Sequence, residues 1–400
     1  MSSPAPVDDD SRLHALDILR GLALFGMILV HFHQRMRVEV GGLEDLIGWA
    51  VWVLVEQKAW GVFAFLFGVG FAILLRRLEA RGQPVVPIYL RRLAALAGFG
   101  LIAQVCFGFT ILLEYACWGV ALLVLRRWPT RLLLAAAVLA ASAKPIYDEL
   151  AALHAWHTGV ALAPPAAAAL ARAAAEAAQQ PHYAALLHAR WALFLGTLPH
   201  TVRAFLPDVN LALFIIGLLA VRHGVLDDPR RHTRLIAGWM FGGFTAWALA
   251  WLVLYRVPEL PIRGARDPIA YGFGLVQDQW LCLTYVGAVV LLLTYRPEWT
   301  RRLAPVGLAG RMALTNYLIQ AAVLDALASG YGFGLKIRPL VYLPAALALF
   351  GLETVASSAW LARNRYGPLE WLWRSITYAR LQPLSRSPAC VPGTSTSPSA

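Results

Sequence analysis

A chain of 400 residues with 59% apolar and 14% charged residues and a mean hydropathy of +0.58 is not a string of soluble domains; most of its solvent is lipid. The net charge of +12 would suit a nucleic-acid partner, but the arginines fall in short clusters between apolar runs, as topology signals do, which argues against nucleic acid. The four cysteines, Cys106, Cys117, Cys282 and Cys390, show no close pair and no metal-ligand spacing, so neither disulfides nor a cysteine metal site is expected.

In chain order, residues 1–12, with Asp8, Asp9 and Asp10, read as a disordered tail. The stretch Arg12–His33 is apolar enough to cross a bilayer, yet it carries Asp17, Arg20 and His31, and ionisable groups inside a span are costly. On a continuous helix the step from Arg20 to His31 is about 16 Å, which sets the two near opposite membrane faces. HFHQRMRVEV follows this run where a cleaved signal would have small residues, so the helix is expected to remain as an anchor.

Further apolar runs fall at about 59–75, 91–109, 111–125, 131–143, 209–221, 235–255, 275–294, 312–328 and 340–361. Segments 44–55 and 184–200 are ambiguous and read as half-helices or interfacial pieces. Glycines within spans, Gly68, Gly70, Gly238, Gly242 and Gly243, are assigned to close helix packing. The connection 144–208 holds APPAAAALARAAAEAAQQP, with a proline pair at a helix start and Pro181 as a stop. It is expected to form a helix over the outer face.

The fold class expected is all-α: a polytopic transmembrane helical bundle of about ten spans, with residues 13–384 as one integral membrane domain and 385–400 as a disordered tail. Clusters such as Arg76, Arg77 and Arg81, then Arg126 and Arg127, then Arg230 and Arg231, fall on alternate connections, so both termini are expected to be cytoplasmic. Glu370 and Arg374, at i and i+4 beside Trp371 and Trp373, read as an interfacial helix on the cytosolic leaflet.

The blocks LDILRGLALFGMILVH, EQKAWGVFAFLFGVGFAILLRR, LAGRMALTNYLIQ and YGPLEWLWRSITYARLQPL resemble successive signatures of the YeiB-like membrane family. That family is grouped with the heparan-alpha-glucosaminide N-acetyltransferase and other transmembrane acyltransferases. The resemblance runs from Leu16 to about Leu384 and implies acyl transfer in the bacterial inner membrane. Acetyl-CoA would be the donor, as co-substrate, and an envelope glycan or lipid the acceptor. The other partners expected are membrane lipids and a second copy of the chain, with no nucleic acid.

In related membrane O-acyltransferases an arginine followed eleven positions later by a histidine on the first helix is the functional pair, and Arg20 and His31 match it. A guanidinium suits the phosphates of a CoA thioester, and a neutral imidazole suits removal of a proton from an attacking hydroxyl. For Arg20 a second reading stands, a partner for Asp17 at i and i+3 and an anchor at the cytosolic end. For His31 it is an ordinary interfacial histidine.

Where the family reads Gly-Asp-Ile-Leu, this chain has Phe109, Thr110, Ile111 and Leu112, so a carboxylate is missing at Thr110, and Glu114 one turn on is the replacement candidate. Arg311 is a second phosphate contact or a plain topology anchor, and Asn316 is a polar amide just inside the same helix. Glu56 and Lys58 line an outer opening or form a solvated helix start. His154 and His157, downstream of Asp148 and Glu149, lack a third firm ligand, so no metal is expected.

Two other classes stay open. A small-solute transporter would use Asp17, Arg20, Glu114, Asp325 and Glu353 along a path, although no interrupted helix is evident in the sequence. A non-catalytic envelope assembly protein needs none of these groups. The topology itself is directly checkable: a reporter fused after Ser387 is expected in the cytoplasm, and a periplasmic reporter would overturn the arginine reading.

Overall fold

The computed structural model describes residues 9–38, 40–109, 111–159, 165–197, 207–256 and 268–386. The helices in order are α1 (Asp9–Met36), α2 (Leu43–Leu54), α3 (Lys58–Ala80), α4 (Val85–Ile102), α5 (Ile111–Leu125), α6 (Thr130–Thr158), α7 (Pro165–Ala177) and α8 (Tyr183–Thr197). They continue as α9 (Val209–Arg222), α10 (Thr233–Arg256), α11 (Pro268–Tyr295), α12 (Glu298–Arg302), α13 (Ala304–Arg311), α14 (Ala313–Ala328), α15 (Pro339–Arg363) and α16 (Pro368–Tyr378). Among the described residues there is no strand, only isolated bridges at Arg37–Ile337 and Asn364–Ser385.

Among the described residues, four stretches are long and apolar enough to cross a membrane: His14–Met36, Leu43–Ala80, Val85–Phe107 and Pro339–Arg363. Shorter apolar helices accompany them, among them Ile111–Leu125 and Ala313–Ala328. Large apolar side chains such as Val138 (70% exposed), Phe241 (66%) and Val355 (69%) face outward, as lipid-solvated helices require. The chain is an all-helical membrane protein.

Several boundaries differ from expectation. Residues 9–12, expected in the tail, are the first turn of α1. The connection expected from 144 begins as helix, because α6 runs unbroken to Thr158. The alanine-rich segment is α7, stopping four residues before Pro181, and the ambiguous segments are helices α2 and α8. The half-helix reading of 44–55 fits α2, which meets α3 at an interruption, and the short α13 meets α14 in the same way. Residues 55–57 break the path from α2 to α3, with Gln57 at φ 65°, and Met312 breaks α13 from α14.

Glycine sets the tightest helix crossings. A Cβ on Gly68 of α3 would collide with the Phe214 carbonyl of α9, and one on Gly217 of α9 with the Phe65 carbonyl. Gly243 likewise lies against the Trp280 carbonyl of α11, at 2.7 Å from where a Cβ would sit. Gly70, Gly238 and Gly242, expected to serve the same purpose, have nothing within 4 Å, and Gly70 lines a cavity instead.

Gly68→Val is therefore expected to lower the thermal midpoint in detergent, at an overpacking cost of ~1–3 kcal/mol. Gly238→Ala should leave the midpoint unchanged. Equal midpoints for the two variants would show that backbone contact does not hold α3 to α9.

Candidate functional site

One close crossing builds the mouth of the site. A Cβ on Gly310 would strike the Asp17 carbonyl, and one on Gly21 the Val306 carbonyl, so α13 lies directly on the first turns of α1. That contact brings Arg311, the last residue of α13, to the same end as Arg20. Arg20 donates to Asp17 at 2.6 Å, as the i, i+3 spacing predicts, yet its side chain keeps 30% exposure.

Both arginines line a cavity of about 240 Å³ between α1, α3, α4, α5, α13, α14 and α16. Two more arginines join them, Arg92 from α4 and Arg374 from α16. The sequence reading took neither as a site residue. The Arg92 guanidinium lies over the Trp373 ring at 3.6 Å, and Trp373 Nε1 donates to the Arg92 carbonyl at 2.8 Å. Arg374 lies over the Tyr366 ring at 4.6 Å. Farther in, the wall turns apolar and aromatic, with Phe67, Phe71, Leu96 and Tyr317.

Glu370, on the same cavity wall, caps the broken helix. Its Oε1 accepts from the Leu314 and Thr315 backbone amides at 2.7 and 3.1 Å, and its Oε2 accepts from Thr315 Oγ1 at 2.6 Å. Burial lifts this carboxyl above its ordinary range, against the pull of the Thr315 hydrogen bonds. The carboxylate thus serves the α14 amides and leaves the arginines to their own partners.

His31 is not on the cavity wall. The lining reaches Met27 on α1, and His31 one turn farther along is 2% exposed, with the Phe109 ring edge-on at 4.2 Å. Phe109 in turn meets Tyr317, a cavity-lining residue, at 6.4 Å. The imidazole Nδ1 has no hydrogen-bond partner among the described residues. The arrangement corrects the expectation of a single void shared by Arg20 and His31: two aromatic rings stand between them.

The remaining candidates lie elsewhere. Glu114 turns toward α9, where it accepts from Asn210 Nδ2 at 2.9 Å beside Asp208, the N-cap of α9. It is absent from the cavity lining, so it does not replace the missing family carboxylate there; Thr110 itself lies outside the described residues. Asn316 is buried and donates to the Ala309 carbonyl and to Ser357 Oγ, both at 3.0 Å, which ties the α13–α14 break to α15. Glu56 accepts from Gln34 at 2.8 Å. Lys58 is 2% exposed, against the solvated helix start read from sequence, and lines a separate apolar cavity with Phe25 and Tyr285. His154 and His157 are exposed, and the side chains of Asp148 and Glu149 lie outside the described residues.

An all-helical membrane protein with a cation-rimmed, aromatic-walled cavity at one end of its bundle is the class these features define. The chain is 30% identical over 413 residues to "Uncharacterized protein YxaH" of Bacillus subtilis (strain 168), covering 96% of this chain and 99% of that protein. It is 28% identical to "Uncharacterized 39.9 kDa protein in amylase 3'region" of Bacillus acidopullulyticus, covering 95% of this chain and 97% of that protein. It is also 26% identical to "Uncharacterized protein YeiB" of Escherichia coli (strain K12), covering 90% and 95%. Residues 12–170 match the family model "Heparan-alpha-glucosaminide N-acetyltransferase, catalytic", and residues 220–380 match "Protein of unknown function (DUF418)". The chain belongs to the YeiB-like family, related to the heparan-alpha-glucosaminide N-acetyltransferase superfamily. No solved structure matches it. The cavity draws Arg20 and Arg92 from the first matched region and Arg311, Glu370 and Arg374 from the second.

Glu370→Ala removes acceptors from two backbone amides and a hydroxyl. It is expected to cost ~1–2 kcal/mol of stability in a detergent melt, the range for loss of a helix cap. A variant as stable as the parent would show that the α13–α14 break is held without this carboxylate.

Proposed function

We propose that the protein is a membrane-bound acyltransferase of the bacterial plasma membrane, moving an acetyl group from a CoA thioester to a hydroxyl or amine of an envelope glycan or lipid. The observation that carries this reading is the ring of Arg20, Arg92, Arg311 and Arg374 around an apolar-walled cavity. Guanidiniums bind phosphate oxygens in pairs, and aromatic walls suit the uncharged arm of such a donor. The match of residues 12–170 to a catalytic N-acetyltransferase model and the bacterial sources of the relatives support the same reading.

In this scheme the Arg20 end faces the cytosol, and the arginines hold the donor's phosphates while its thioester reaches toward Met27. His31 takes the proton of the acceptor's O–H or N–H. The freed oxygen or nitrogen bonds to the carbonyl carbon, the carbon–sulfur bond breaks, and the thiol leaves with a proton. A buried imidazole whose Nδ1 has no hydrogen-bond partner among the described residues has a nitrogen left over for proton transfer. For the reaction to occur, Phe109 and Tyr317 must part, since they separate the cavity from the ring.

A second reading, a small-solute transporter, draws on the α2–α3 interruption at residues 55–57. Uptake of a labelled solute by proteoliposomes without CoA would favour it.

The deciding measurement is acetyl-CoA binding to the purified protein in detergent. Arg20→Ala and Arg311→Ala are each expected to weaken binding roughly 10- to 100-fold, the loss of a charge-assisted hydrogen bond at ~1.5–3 kcal/mol. Gly70→Leu, at a position with open space, fills the cavity and should abolish binding while the fold persists. His31→Ala should retain binding and lose transfer. No saturable binding, or binding indifferent to all three cavity variants, overturns the enzyme reading.

A further inference from the structure

The end of the bundle opposite the arginine ring carries a second polar cluster, centred on Asp325 of α14, which is fully buried. Arg190 of α8 grips it with two bonds, Nη1 to Oδ2 at 2.9 Å and Nη2 to Oδ1 at 2.5 Å, and Arg35 of α1 adds Nη1 to Oδ1 at 3.0 Å. Ser329 Oγ and Tyr331 Oη each donate to the same carboxylate at 3.1 Å.

The two arginines spend their other donors on one short stretch of backbone. Arg190 Nη1 donates to the Cys106 carbonyl at 2.6 Å and Arg35 Nη2 to the Gly108 carbonyl at 2.8 Å, with Tyr183 Oη also on Cys106 at 3.2 Å. These carbonyls lie at the C-terminal end of the wide π turn Ala103–Phe107, whose closing bonds run from the Gly108 and Phe109 amides to the Gln104 and Ala103 carbonyls; such turns recur at functional sites. The next residue, Phe109, is the one that covers His31, and the Arg35 guanidinium lies 4.2 Å over its ring. The latch and the cover over the imidazole are one connected structure.

The way α7 and α8 are fastened is unlike the rest of the bundle. Their buried apolar residues, Ala174 and Leu186, belong to neither hydrophobic core cluster. Among the contacts that join the pair to the bundle are the Arg190 and Tyr183 bonds, the Tyr183–Tyr331 ring contact at 4.8 Å, the Gly330 amide donating to the Ala178 carbonyl at 2.8 Å, and the close approach of Gly330 to the Gln179 carbonyl. Polar bonds of this kind exchange with water at small net cost, whereas interdigitated core does not.

We infer that α7 and α8 form a lid over the His31 end, latched by Arg190 on Asp325, whose release frees Cys106–Phe109 and opens the imidazole to an acceptor. The inference rests on the reading of His31 as the reacting group, but its test does not need acetyl transfer. Diethyl pyrocarbonate modifies exposed imidazoles, and mass spectrometry of the purified full chain gives the rate at each histidine. Arg190→Ala is expected to raise the rate at His31 roughly tenfold, the factor for one lost buried hydrogen-bonded contact. His223, exposed and remote, should not change. In a second variant, Tyr183→Cys with Tyr331→Cys, oxidation joins lid to bundle; the His31 rate should fall below that of the reduced form and recover on reduction.

An unchanged His31 rate in Arg190→Ala overturns the lid. If that variant instead unfolds, seen as loss of its thermal transition in detergent, the cross-linked variant decides: equal His31 rates oxidised and reduced overturn the lid. Loss of acetyl-CoA binding elsewhere in the protein leaves this readout intact, so the two proposals fail separately.

Discussion

A helix bundle dissolved in lipid gains little by hiding one apolar face against another, because the solvent is as apolar as the core. What holds such helices is close approach, and the contact on which the site depends is Gly310 of α13 seated on the Asp17 carbonyl of α1. Any side chain at Gly310 or Gly21 would push α13 away from α1. With it would go Arg311 and the start of α14, and so the wall that Glu370 caps. The glycine contacts of Gly68 and Gly217 do for the other side of the bundle what Gly310 does for the mouth, fixing α3 to α9 behind Phe67 and Phe71.

Four guanidiniums around one cavity repel each other, and the structure offsets only part of that. Asp17 answers Arg20, the Trp373 and Tyr366 rings face Arg92 and Arg374, and Glu370, the carboxylate nearest in the lining, is engaged by helix amides. An aromatic face contributes ~0.5–1 kcal/mol at an exposed site, far less than a bound anion in the same place. That residual repulsion is what supports the proposed polyphosphate-bearing donor, since a polyphosphate satisfies several guanidiniums at once where a single carboxylate would not.

Much of this was legible from the residues, and the limits are physical. Apolar runs and arginine clusters report spans because lipid imposes them locally, and Asp17 with Arg20 reports a pair because i, i+3 neighbours must meet. Which arginines turn inward is not a local property. Arg92 sits beside Arg91 in a doublet that reads as a topology anchor, and only the arrival of Trp373 from the far end of the sequence makes it a cavity wall. Asp325 with Arg190, separated by 135 residues, is invisible for the same reason. The α2–α3 break falls where the runs 44–55 and 59–75 part, although Gln57 and Met312 are neither glycine nor proline, the residues by which breaks are usually announced. The family resemblance supplied Arg20 and His31 as a pair; it did not supply the rings between them.

Those rings locate the adjustable element. From Arg20 to His31, α1 is unbroken helix packed on both core-facing sides, so it cannot itself bring imidazole and cavity together. Phe109 stands outside any helix, between a π turn and α5; the Gly108 and Phe109 amides donate back to the Gln104 and Ala103 carbonyls, while the Cys106 and Gly108 carbonyls are held by guanidiniums. Gly108, at φ 74°, marks where that backbone turns. On the acyltransferase reading, a rigid rod bearing Arg20 and His31 beside a short segment that covers one of them divides the labour: α1 fixes the distance, and residues 106–109 decide when the imidazole is open.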